Sequence, residues 1–162
     1  TPPISRMYAD IIILLLTIYF AVRYLYKNAK VASKFFVLIG ILYVFRALTF
    51  TLTETPEPSR FQKTCINKSV FKLADVKWFK LNPHDSCIDH MFSGHSLFGI
   101  SITIFILSLS NNITEKILVS LSTLALLVSL IWSRAHYTQD VLVALFMTMG
   151  WSKVILNCKY FD

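Results

Sequence analysis

Long apolar stretches follow one another along the chain, separated by short polar breaks and one long one. They run from Met7 to Tyr26, Phe35 to Leu52, Met91 to Leu109, Ile113 to Trp132 and Val141 to Leu156. Each is close to the ~17–25 residues that a helix needs to cross a bilayer core. The last is short and leaves little room for tilt. The pattern predicts an all-α polytopic membrane protein, a bundle of five transmembrane helices. It forms a single unit over residues 1–162 with no internal repeat. The first stretch is too long and too aromatic for a signal-peptide core, and no small-residue cleavage site follows it.

Composition agrees. Of 162 residues, 55% are apolar and 15% charged, and the mean hydropathy is +0.58. A soluble domain of this size is rarely so apolar. The net charge of +7 would suggest nucleic acid in a soluble protein. In a membrane protein it reads as Lys and Arg placed in loops, so nucleic acid is excluded as a partner. The three cysteines form no CxxC pair, which argues against a structural zinc site.

The breaks alternate between two sides. One side holds the loop 27–34, the loop 110–112 and the C-terminus, with Lys27, Lys30, Lys34, Lys116, Lys153 and Lys159. By the positive-inside rule this side is cytoplasmic. The other side, exoplasmic, holds the N-terminus, the long loop 53–90 and the turn 133–140. Cys65 and Cys87 both fall in the long loop, where oxidising conditions would permit a disulfide. Asn67-Lys68-Ser69 on that side is a glycosylation sequon; Asn112-Ile113-Thr114 on the opposite side reads as chance.

Ionisable residues gather at the exoplasmic boundary. His95 opens the third stretch after Ser93-Gly94. His136 and Asp140 lie in SRAHYTQDV at the start of the fifth, Arg134 just before them, and Arg46 about two turns from the end of the second. Helix alternation puts all of them at the same face, whichever face it is. On a helix, His136 and Asp140 at i, i+4 share one side, so the carboxylate can hold one ring nitrogen and leave the other as a nucleophile. Gly94 allows close backbone approach, and a helix start attracts anions. An arginine inside an apolar helix is costly and suits a phosphate. Two histidines, a carboxylate and two arginines around a phosphate-sized space point to phosphoryl transfer at a lipid interface.

Plainer readings exist for each residue. An interfacial histidine more often touches headgroups than catalyses. His136 and Asp140 can make a helix-start ion pair, Arg46 can snorkel to the headgroups, and Arg134 can anchor the helix. His84, Asp85 and His90 read as loop residues. The aromatic residues read mainly as core and interface belt. Convergence at one face is what these readings do not explain.

Cys87-Ile88-Asp89, Phe92-Ser93-Gly94-His95-Ser96 and His136-Tyr137-Thr138-Gln139-Asp140-Val141 resemble the sphingomyelin synthase family. Its pattern there is close to CGDxxxSGHT followed by HYTxDV. FRALTFTLTETPEP, from Phe45 to Pro58, resembles the family stretch of an arginine, threonines and a Pro-x-Pro turn, with Cys65 following. The likeness runs from about Lys34 to Val143. The family lies within the type-2 phosphatidic acid phosphatase superfamily. Ile88 in place of glycine, Ser96 in place of threonine and Ser133-Arg134-Ala135 before His136 depart from the pattern. The departures bear on headgroup choice more than on chemistry.

The resemblance implies an enzyme that moves phosphocholine or phosphoethanolamine from phosphatidylcholine or phosphatidylethanolamine to ceramide, releasing diacylglycerol. His136 would be the nucleophile, Asp140 its orienting carboxylate, and His95 the acid and then the base. Arg46 would hold phosphate oxygens, joined by Arg134 from the reading of the boundary residues. No metal or cofactor is implied. The Golgi or plasma membrane is the expected location, and a homo-oligomer is compatible with it. Members usually have six helices, so the family's first helix would precede Thr1. The competing expectations are a lipid phosphate hydrolase with the same site and a lipid-binding protein without activity.

Overall fold

The computed structural model describes residues 7–52, 93–132 and 138–158. Five α-helices account for most of them: α1 (Met7–Phe20), α2 (Ala29–Leu52), α3 (Gly94–Leu109), α4 (Ile113–Trp132) and α5 (Thr138–Leu156). The all-helical, polytopic architecture predicted from the hydrophobic pattern is borne out. Among the described residues, four helical segments are long and apolar enough to cross a membrane: Met7–Leu25, Ala29–Thr49, Ile113–Trp132 and Thr138–Leu156. The outward faces of α1, α4 and α5 expose Leu14, Leu15, Ile18, Leu118, Leu121, Leu124, Phe146 and Val154. An aqueous surface rarely carries such a band, whereas hydrocarbon accepts it.

α3 is the shortest span and the most enclosed. It packs against α1, α2, α4 and α5. Leu97, Ile100, Ile102, Phe105 and Ile106 are all buried, as are Ser96, Ser101 and Thr103. Only its last turn, Leu107 to Leu109, is exposed. Two of these hydroxyls find partners nearby: Ser101 donates to the Leu97 carbonyl at 2.8 Å, and Thr103 meets Thr123 of α4 at 2.5 Å. Interhelical hydroxyl pairs of this kind help helices associate where no hydrophobic force draws them together.

Aromatic rings close the half of the core nearer the Lys30 end of α2. Phe35 of α2 stands 4.8 Å from Phe20 of α1 and 5.3 Å from Phe105 of α3, centroid to centroid. The Phe35–Phe105 pair is edge-on at 87°, a favoured aromatic arrangement. Phe45 and Trp151, 5.5 Å apart, tie α2 to α5.

Two boundaries differ from expectation. The loop placed at 27–34 is shorter, because α2 begins at Ala29. Asn28 caps it, its Oδ1 accepting from the Lys30 amide at 3.0 Å. Lys30 and Lys34 therefore ride on the first turns of α2. α5 begins at Thr138, ahead of the apolar run at Val141.

α1 continues as a π-helical turn, Ala21–Leu25, in which the Tyr26 amide bonds the Ala21 carbonyl at 2.9 Å. Residues five apart on an α-helix diverge by about 140°. The i→i+5 bonding of the π turn brings Tyr19 and Tyr24 to one carboxylate. Their hydroxyls donate to Glu115 Oε1 at 2.5 and 2.7 Å, and Ser110 donates to Oε2. This latch joins α1 to the α3–α4 connection at one end of the bundle.

Candidate active site

At the opposite end, α3 starts with a side-chain cap. Ser93 is fully buried, and its Oγ accepts from the Ser96 amide at 3.3 Å. Ser-Gly-His thus opens the helix, placing His95 in the first turn at the positive end of the helix dipole. Ser96 beside it is fully buried, and its Oγ has no hydrogen-bond partner among the described residues.

Arg46 reaches this turn from α2. A β-carbon on Gly94 would stand 2.6 Å from its Nη1 and 3.3 Å from its Cζ. The guanidinium therefore lies flat against the glycine. Arg46 also sits over the Tyr43 ring, with Cζ 5.8 Å from the centroid. A delocalised cation against the first turn of a helix, on the turn that carries His95, is an arrangement that suits an anionic oxygen cluster.

His95 meets a carboxylate the sequence reading did not include. Its Nε2 lies 3.0 Å from Asp10 Oδ1 on α1. The imidazole is 28% exposed and the carboxylate 52%, so the pair lies at the surface of the bundle. A signal was present: Asp10 is the one acid in α1, and a carboxylate inside a spanning helix is costly unless it has a role.

Asp140 lies in the first turn of α5 and is fully buried. Burial of a carboxylate requires compensation by partners, and the start of a helix supplies part of it. The structure thus brings Arg46, His95, Asp10 and Asp140 to one end of the bundle, on four different helices. His136, Arg134, Cys65 and Cys87 lie outside the described residues, as do the sequon at Asn67 and His84 and His90. Among the described residues, no three His, Cys, Asp or Glu side chains converge as metal ligands do.

Fold and site define a polytopic helical membrane protein with an ionisable cluster at one end of an apolar bundle. Residues 86–155 match the family model of the PAP2 superfamily C-terminal domain. The match supports the type-2 phosphatidic acid phosphatase superfamily, whose members are typically enzymes acting on phosphate esters of lipids. It takes in His95, His136 and Asp140, and ends before the last residue of α5; Asp10 and Arg46 lie outside it. Neither the comparison with curated proteins nor that with solved structures gave a match.

Proposed function

We propose that the protein is a membrane phosphotransferase. It moves phosphocholine or phosphoethanolamine from a glycerophospholipid to ceramide through a phosphohistidine and releases diacylglycerol. The observation that carries the reading is the Arg46 guanidinium laid against Gly94, one residue from His95. A phosphate seat and a proton carrier are then adjacent at a lipid boundary.

The roles follow from the chemistry. His136 attacks phosphorus, and Asp140 fixes its tautomer and offsets its charge. His95 protonates the departing diacylglycerol oxygen, then takes the proton of the ceramide hydroxyl. Arg46, with Arg134, holds the phosphoryl oxygens as charge develops on them. The site faces the lumen or exterior, in the Golgi or the plasma membrane. There Cys65 and Cys87 close the long loop as a disulfide, which a mass gain of two hydrogens on reduction would reveal.

Purified protein given headgroup-labelled phosphatidylcholine or phosphatidylethanolamine, with and without ceramide, tests the proposal. A ceramide-dependent labelled sphingolipid supports it. Release of the free phosphoalcohol regardless of ceramide would establish a hydrolase instead, the reading favoured by the general chemistry of the matched superfamily. His136→Ala removes the covalent phospho-enzyme, and an intermediate that survives this change overturns the nucleophile assignment.

A further inference from the structure

We infer that Asp10 is a positioning residue for His95: its carboxylate orients the imidazole and offsets the charge of the protonated ring. The inference rests on the reading of His95 as the acid and base of a phosphoryl transfer.

The site sets a conflict that Asp10 resolves. A phosphate seat needs a fixed cation, and Arg46 supplies it against Gly94. A general acid needs a protonated ring, and a guanidinium beside it opposes that charge. A carboxylate on the ring lets both cations coexist. α3 cannot provide one, because positions 98 and 99, which share the face of His95 one turn on, are Phe98 and Gly99. The carboxylate comes instead from a residue 85 positions away, on α1, at 3.0 Å. Among the described residues, the other charged groups at this end of the bundle are Arg46 from α2, which lies against Gly94, and the buried Asp140 in the first turn of α5. On α3 itself His95 is the sole titratable residue, and the ionisable residues of α4, Glu115 and Lys116, lie at its far end.

The protons balance across both half-reactions. As the P–O bond to diacylglycerol breaks, the imidazolium gives its proton to the departing oxygen and becomes neutral. In the second half the ring takes the proton of the acceptor hydroxyl as that oxygen bonds to phosphorus and the P–N bond to His136 breaks. Asp10 stabilises the charged ring before and after and does not touch the lipid. Its partial exposure lets solvent screen it, so its effect is smaller than that of a buried partner.

Asp10→Asn keeps the shape and removes the charge. In the full chain in detergent micelles with donor lipid and ceramide, kcat falls roughly tenfold while KM for the donor changes by less than about twofold. The alkaline limb of the kcat profile moves down by about one pH unit, and Asp10→Glu restores most of the rate. NMR of labelled histidine gives a readout without turnover, the His95 signal being assigned by its loss in His95→Gln. Its titration midpoint moves to lower pH in Asp10→Asn. An active wild type whose profile and midpoint are both unmoved by Asp10→Asn overturns the role of Asp10 alone. A wild type without turnover removes the phosphotransfer reading, and the proton role with it.

Discussion

The guanidinium of Arg46 occupies the space that a side chain on Gly94 would need, with Nη1 2.6 Å from the position of its β-carbon. Glycine is required there for room rather than for an unusual backbone angle. Gly94→Ala displaces only the far end of a flexible side chain, so the fold adjusts at a cost of about 1 kcal/mol or less. If Arg46 grips phosphate as proposed, that grip is lost with its position. Transfer assays on Gly94→Ala should show kcat/KM down by at least about tenfold, with thermal unfolding nearly unchanged. Normal turnover in a well-folded Gly94→Ala would remove Arg46 from the phosphate seat.

Arg46→Lys keeps the charge and loses the planar fork. If Arg46 holds two phosphoryl oxygens, kcat/KM drops by roughly tenfold or more, because a point charge cannot meet both. Full activity in Arg46→Lys would mean that only the charge matters.

Asp140 differs from Asp10 in being fully buried. Its carboxylate acts where water screens little, so Asp140→Asn should lower kcat by about 10²–10⁴. That exceeds the effect expected at Asp10, and single-turnover kinetics would separate the loss of phospho-enzyme formation from a loss of lipid binding.

Glu115 joins Tyr19, Tyr24 and Ser110 at the opposite end of the bundle from His95. Glu115→Ala leaves three hydroxyls without their charged acceptor and should destabilise the bundle by about 1–3 kcal/mol. Since the latch does not touch the candidate site, the protein that remains folded should turn over at the normal rate. Melting in detergent beside a transfer assay distinguishes the two effects.

Gly99 lets α3 lie close to α4 and α1. A β-carbon there would stand 2.5 Å from Leu126 Cδ2 and 3.4 Å from Ile13 Cδ1. Leu126 is fully buried and has little space to yield. Gly99→Leu should cost about 1–3 kcal/mol by overpacking, seen as a lower melting temperature.

Much of this was legible in the sequence where apolar residues run unbroken. α4 occupies Ile113–Trp132 as the pattern predicts, because the apolar run from Ile117 to Trp132 carries the pattern past the polar Thr114, Glu115 and Lys116 of its first turn. α2 starts earlier than the pattern indicates because Lys30 and Lys34 are polar yet helical, and hydropathy does not register the Asn28 cap. α5 starts earlier for a like reason, since Thr138, Gln139 and Asp140 form a polar first turn. At the site, Arg46 and His95 stand out from sequence as polar residues at one boundary. Asp10 stands out only as an acid in an apolar helix, because its partner lies 85 positions away, a contact that no local period encodes.

α3, with 16 residues, is about 24 Å long at 1.5 Å per residue, shorter than a hydrocarbon core of about 30 Å. Four helices surround it, so it never has to match the lipid. Changes in bilayer thickness fall on α1, α2, α4 and α5, which can tilt. The depth of His95 is therefore set by helix packing, and the same chain can keep its polar cluster at one level in thin and thick membranes alike.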